Sequence, residues 1–248
     1  MITVKVLRDT ISSLGYKWFE DQPNLIGIRT NLQVPDVFND LLFIVWKQRS
    51  MPENLSPKDK QAWLNANMFT DGKNKKLDED GDFGTKSQEA LAKYNASVGK
   101  DRIFSATITT EPGVAYQKKL LNPKGCWVMM PAQMINAYKA GLHQGKADHR
   151  CLKSVGRIFG LRDNDLNGIA GDDKDAICEW ADGTLIGANI HGANKAGITS
   201  KIGPWSAGCQ VHNDWNKKEE MMQIIDCFKD VNNGFVTYTL IKESDLKL

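Results

Sequence analysis

The sequence predicts an α+β protein, a β-rich domain interrupted once by a small helical subdomain. Three observations carry this. Short apolar runs of strand length recur through 16–46 and again from 103 to the C-terminus. Between them, 51–100 is polar, rich in Lys, Asp and Asn, and helical in spacing. Strong amphipathic helical spacing is otherwise found near the two ends of the chain. The division expected is therefore one domain from 1–50 and 101–248 with an insertion at 51–100.

Taken in order, Val6, Leu7, Ile11 and Leu14 fall at helical spacing within 3–14, and Gly15 stops the helix. Tyr16–Phe19 and Leu25–Arg29 read as strands, then a turn at Asp36–Asp40 and a strongly apolar strand, Leu41–Trp46. In the insertion, Ser56-Pro57 opens one helix, and Thr85 caps a second in which Ala90, Leu91 and Tyr94 share a face. Strands resume at Ile103–Thr109, followed by a turn at Glu111–Gly113 and a buried strand at Cys126–Met130. Pro131–Lys139 reads as a short helix, Arg157–Leu161 as a strand, and Leu185–Ile190 as a strand delivering His191 to a sheet edge. Asp214 caps a helix running to Phe228, and Asn232-Asn233-Gly234 turns into a last strand, Phe235–Ile241.

Composition narrows the function classes. The net charge of +2 gives no electrostatic case for nucleic acid or an anionic membrane surface. Five widely spread cysteines without a CxxC pair argue against a disulfide framework. The first nine residues lack the apolar run of a signal peptide, and no segment approaches the roughly 20 apolar residues of a membrane span. Synthesis in the cytoplasm without membrane insertion is expected.

The chemistry concentrates in Asn189-Ile190-His191-Gly192 and Trp205-Ser206-Ala207-Gly208-Cys209-Gln210-Val211-His212. A thiol titrates at roughly 8.5 and needs a base to become a nucleophile near neutral pH, which pairs Cys209 with His191. Gly208 lets backbone approach a substrate carbonyl, and amides beside Cys209 can hold an oxyanion. On residue types alone, Cys209 reads first as an ordinary buried cysteine. His212 reads as a strand-surface residue, and His143, in a glycine-bounded loop, as a candidate lining the site. No HExxH or equivalent spacing appears, and His143, His149 and Cys151 form no recognised metal set. Asp163-Asn164-Asp165-Leu166-Asn167-Gly168 matches the first half of a calcium loop, but its twelfth position is Lys174 instead of a glutamate. No metal and no cofactor are expected.

The order His191-Gly192, a loop, then Ser206-x-Gly208-Cys209 resembles the signature of the L,D-transpeptidase catalytic-domain superfamily. More of the chain is similar to a divergent branch found in bacteriophages and gut bacteria. The shared stretches are Thr109–Gly113, Arg162-Asp163-Asn164, Asn189–His191, Trp205–Val211 and the Phe-x-Tyr-Thr-Leu strand near the end. The resemblance implies a β-rich catalytic fold, Cys209 as nucleophile on a peptidoglycan stem peptide at diaminopimelate, and His191 as the group that activates it. It also implies that Ser206, Gly208 and Gly192 shape the site, with Trp205, His143 and Gln210 as candidate substrate contacts. In the insertion, Asp80-Gly81-Asp82-Phe83-Gly84 is similar to a motif of small peptidoglycan-binding modules, which makes Asp80, Asp82 and Phe83 candidate wall contacts.

Two departures shape the expected reaction. Ala207 stands where the transpeptidases carry histidine, and Val211 replaces a basic or amide residue. Both favour hydrolysis over cross-linking, as in a phage lysin made in the host cytoplasm and passing to the wall with a holin. An L,D-transpeptidase and a non-catalytic wall-binding virion protein remain the alternatives.

Overall fold

The computed structural model describes residues 1–32, 34, 36–165 and 175–248. Its core is an eight-stranded closed barrel, in the order β1 (Asn24–Arg29), β11 (Phe235–Lys242), β5 (Ala132–Leu142), β6 (Arg150–Ser154), β9 (Ile190–Gly192), β10 (Gln210–His212), β3 (Asp101–Thr109) and β2 (Asp40–Lys47). The β1–β11 and β9–β10 pairs are parallel and the other pairings antiparallel. A separate sheet joins β4 (Cys126–Met129), β7 (Arg157–Asp163) and β8 (Glu179–Asp182). The protein is thus mixed α+β with a mostly β core. No helix among the described residues is long and apolar enough to cross a membrane.

Strand β2 shows why the barrel forms. Its sequence is apolar without interruption because both faces are covered. Leu42, Ile44 and Trp46 point into the main core, while Phe43 and Val45 meet Leu7 and Ile11 of α1 (Val4–Ser13) on the outside. Helix α1 begins at Thr3, whose hydroxyl accepts from the Val6 amide, and ends as expected before Gly15 at φ +72°. Across the interior, Tyr238 stands over Gly27, where a Cβ would lie 1.9 Å from the phenol oxygen. Its hydroxyl donates to Gln210 Oε1 at 3.0 Å, and Tyr138 donates to the Ala188 carbonyl at 2.9 Å. The first bond ties β10 to β11 on the opposite wall of the barrel, and the second ties the segment leading into β9 to β5.

Four expectations are corrected. Pro131–Lys139 is strand, not helix. Asn136 sits at φ +52° in a bulge, and Ala137 and Tyr138 are both buried, so the apolar spacing imitates a helix. Tyr16–Phe19 is not a strand, because the Gln133 amide side chain takes both the Lys17 N–H and C=O, at 2.9 and 2.8 Å. Leu185–Ile190 does not run extended; α5 (Gly183–Ile186) ends at left-handed Gly187, and β9 begins only at Ile190. Gly84, not Thr85, caps the second insertion helix.

The polar stretch connects β2 to β3, which pair with each other from Asp40↔Ile108 to Lys47↔Asp101. It carries α2 (Pro57–Ala66), capped by Ser56, and α3 (Thr85–Ser97), around a small core of Leu64, Phe69, Leu77, Ala90 and Tyr94. Arg102 bridges it to the barrel, its guanidinium lying 5.0 Å from the Trp46 ring and 5.1 Å from that of Phe69. Helix α6 (Trp215–Asp226) starts at Asp214, which accepts from the Asn216 amide, and buries Met221, Ile224 and Ile225.

Candidate active site

The turn before Cys209 is closed by the Ser206 side chain and tied to the Gly113 amide, which donates to the Ser206 carbonyl at 2.9 Å. The Ser206 hydroxyl is fully buried, donates to the Cys209 carbonyl at 2.8 Å and accepts from the Gly208 amide at 3.2 Å. Gly208 is obligatory on two counts: φ is +131°, and a Cβ would sit 2.5 Å from the Trp127 carbonyl of β4. The Gly208 amide is therefore engaged, whereas the Cys209 amide has no acceptor among the described residues. Of the two amides expected to hold an oxyanion, the one on Cys209 is free to do so.

Strand β9 places His191 beside this turn, with Val211↔His191 in register and the Gln210 amide donating to the Asn189 carbonyl at 2.9 Å. His191 Nδ1 lies 2.8 Å from the Gly192 carbonyl, which can only accept. The network thus assigns the proton to Nδ1 and leaves Nε2 as the basic nitrogen. Nε2 is buried without a partner. Gly192 is required here because a Cβ would lie 2.9 Å from the Trp215 ring.

Electrostatics keep both His191 and Cys209 neutral. Burial, then neighbouring His143, pulls His191 down to about 3, against the pull of the Gly192 carbonyl. Cys209 is half-buried, open to the cavity along one side, yet closely surrounded by protein. Burial pushes its thiol up to about 12, with the Asn189 backbone acting in the opposite direction. The sulfur donates to the Gly187 carbonyl at 3.5 Å and makes no hydrogen bond to His191. The pair is a thiol and an imidazole, not a thiolate and an imidazolium.

Cys209, Gly208, Ala207, Trp205, His191, His143 and Asn189 all line one cavity of about 560 Å³. His143 arrives from the β5–β6 hairpin, with its ring stacked on His191, centroids 4.0 Å apart. His149, from the same hairpin, packs edge-on to His191 at 5.4 Å and against Trp215 at 4.8 Å. Burial lowers His143 to about 4 and also lowers His149. Trp127, Tyr116, Lys146 and Lys153 complete much of the lining.

Gln210 is not a cavity residue; it is fully buried inside the barrel against Tyr238. Strand alternation sends it to the opposite face from Cys209. His212 is not on the surface either: it is fully buried, its Nε2 3.3 Å from the Met221 sulfur, and burial lowers it to about 3.

In the insertion, Asp80 and Asp82 border a separate recess of about 250 Å³. Asp80 Oδ1 accepts from the buried Gln61 side chain at 3.0 Å and from the Asp82 amide at 2.9 Å, so it shapes its own loop. Phe83 packs partly against the small helical core. Of the calcium-like segment, Leu166 to Lys174 lie outside the described residues. Oxygens of Asp163, Asp165 and Asp175 lie within 4.8 Å of one another, the first two from the opening of that segment.

No protein-family model matches the chain, nor does any curated protein or any solved structure.

Proposed function

We propose that the protein is a peptidoglycan-active cysteine enzyme, a phage-type lysin cleaving diaminopimelate-containing stem peptides through an acyl-enzyme on Cys209. One observation carries the chemistry: Cys209, with an unengaged amide, and neutral His191, whose Nε2 is buried without a partner, line the same cavity. The resemblance of Trp205–Val211 and Asn189–His191 to the L,D-transpeptidase signature supports the choice of substrate.

In the proposed reaction the thiol leaves the Gly187 carbonyl, and His191 Nε2 takes its proton as sulfur bonds to the amide carbon. Substrate binding must raise the basicity of His191 and the acidity of the thiol for this transfer to proceed, since burial holds the two groups apart at rest. The Cys209 N–H holds the oxyanion, a donor worth roughly 10²–10³-fold. The carbon–nitrogen bond then breaks, the amine departs with the proton from His191, and a thioester remains. Water adds to the thioester, giving its proton to His191, and the carbon–sulfur bond breaks to release a carboxylic acid and restore the thiol. Ala207 at the cavity wall, in place of an imidazole, supports water as the acceptor. The Asp80–Phe83 loop would anchor the enzyme on the wall and raise local substrate concentration. Synthesis in a bacterial host's cytoplasm and passage through a holin complete the reading.

Mass spectrometry of muropeptides after incubating purified sacculi with wild type and Cys209→Ala tests it. New amino termini or released D-alanine with the wild type alone are expected. Cross-linked dimers would reassign the protein as a transpeptidase, and unchanged profiles with retained sacculus binding would make it a wall-binding protein.

A further inference from the structure

Asn189, the residue before β9, is tied to the strands on either side. Its carbonyl accepts from the Gln210 amide at 2.9 Å, and its side-chain Oδ1 accepts from the Ser154 amide at 3.1 Å. A backbone N–H can only donate, so the Ser154 bond fixes which end of the Asn189 side chain is oxygen and which is nitrogen. The nitrogen, Nδ2, lies 3.4 Å from His143 Nδ1. An amide nitrogen also only donates, so His143 Nδ1 accepts and the ring proton sits on Nε2. Burial, then His149 and Lys146, holds His143 down to about 4, so near neutral pH the ring carries that one proton.

His191 has the opposite arrangement, with Nδ1 donating to the Gly192 carbonyl and Nε2 bare. The two rings lie face to face, centroids 4.0 Å apart and planes 26° from parallel. Two neutral imidazoles of opposite tautomer are therefore stacked, one offering a lone pair at Nε2 and the other an N–H. Their surroundings differ as well. His191 Nε2 is buried without a partner, whereas His143 Nε2 has no hydrogen-bond partner among the described residues and is not buried, on a side chain that lines the cavity. The same cavity is lined by Trp127, Trp205 and Tyr116 of α4 (Val114–Lys118), an aromatic setting in which a fixed N–H counts for more than in water. Because Ser206 already engages the Gly208 amide, the turn at Cys209 offers a single free backbone donor, and a second must come from a side chain.

We propose that Asn189 is a positioning residue that holds the proton of His143 on Nε2, and that this N–H donates to the carbonyl oxygen of the amide bound over Cys209. The other tautomer would present a lone pair to that oxygen and repel it. The tautomer pair stands on the hydrogen bonds alone. Its use on a carbonyl rests on the acyl-transfer reading above.

Long-range proton–nitrogen NMR on the full-length ¹⁵N-labelled protein at pH 8.5 tests the first part, since it separates protonated from bare ring nitrogens. The chain has four histidines, assigned one at a time by His→Gln variants. In the wild type, Nε2 of His143 and Nδ1 of His191 should carry the protons. Asn189→Asp keeps an acceptor for the Ser154 amide but turns a second acceptor towards His143, so its proton should move to Nδ1. In that variant kcat for a soluble muropeptide should fall roughly tenfold with KM little changed, about the worth of one hydrogen bond. Asn189→Ala, which leaves the tautomer unforced, should lie between. A bare Nε2 on His143 in the wild type would overturn the proposal, and that spectrum needs no variant to fold. A proton that moves in Asn189→Asp while kcat stays at the wild-type value would overturn the use of the N–H on the carbonyl. Muropeptides left uncut by a wild type with the expected spectrum would sink the acyl-transfer reading and leave the tautomer pair supported.

Discussion

The imidazole of His143 lies against that of His191, with ring centroids 4.0 Å apart and planes 26° from parallel. The stack covers one face of the proposed base and contributes to its low basicity, since His143 is the largest cause after burial. His143→Ala should open that face to water, raise the acid limb of the kcat/KM profile towards 6.5, and lower kcat roughly tenfold through loss of positioning. His143→Phe, which keeps the covering ring but removes its charge, should place the limb between the wild type and His143→Ala. Indistinguishable pH profiles for the two variants would show that stacking does not position His191.

All four histidines of the chain are held below their ordinary value, chiefly by burial. Below about 6.5 the unfolded chain binds protons that the folded rings refuse, until pH approaches the folded values near 3 to 4. Stability should therefore be level above pH 7 and fall as pH drops from 6.5 towards 4. Each fully buried ring, His191 and His212, contributes up to about 1.4 kcal/mol per pH unit in that window. Urea midpoints at pH 7.5, 6, 5 and 4.5 measure the slope, and His212→Gln should reduce it. Midpoints independent of pH would contradict the neutral, buried rings.

Gly208→Ala adds a Cβ at φ +131° and 2.5 Å from the Trp127 carbonyl. The turn must move, at a cost of about 1–3 kcal/mol, and Cys209 moves with it. A drop in urea midpoint together with loss of sacculus cleavage is expected; wild-type cleavage would refute the role given to this turn.

Ser206→Ala removes the hydroxyl that joins the Gly208 amide to the Cys209 carbonyl. Leaving buried backbone groups unpaired costs about 1–3 kcal/mol. It also frees the Gly208 amide, so a thioester substrate separates the two effects. Acylation should slow, whereas Ser206→Thr should recover part of the rate. Equal rates in the Ala and Thr variants would exclude the hydroxyl from positioning.

At the β5 bulge, Asn136 adopts φ +52°, which a β-branched residue strongly resists. Asn136→Val should lower the unfolding free energy by about 1–2 kcal/mol, and Asn136→Gly should be tolerated. Chemical denaturation of the pair decides; a Val variant as stable as the Gly variant would remove the bulge from the account of β5.

What could be read from the sequence follows the range of the interactions. Helices α1 and α6, strand β2 and the small-residue turn before Cys209 are set by neighbours a few positions apart, and their residues announce them. The bulge at Asn136 could not be anticipated, because its apolar spacing mimics a helix until β11 is placed alongside. His149 gave no local signal; only the pairing of β5 with β6 brings it and His143 to a histidine more than forty positions away. Gln210 was misassigned for a simpler reason: one residue of strand alternation separates the cavity from the barrel interior.

The helical excursion leaves β2 and returns to β3 on adjoining rungs, with the Gln48 amide donating to the Lys100 carbonyl at 3.0 Å and the Gly99 amide to the Gln48 carbonyl at 3.1 Å. Its two ends are thus already side by side, and closing the barrel depends only weakly on how much chain lies between them. None of its residues lines the cavity over Cys209. Such a junction works as a socket: a different module, or a plain hairpin turn, could occupy it while the strands that carry His191 and Cys209 keep their register.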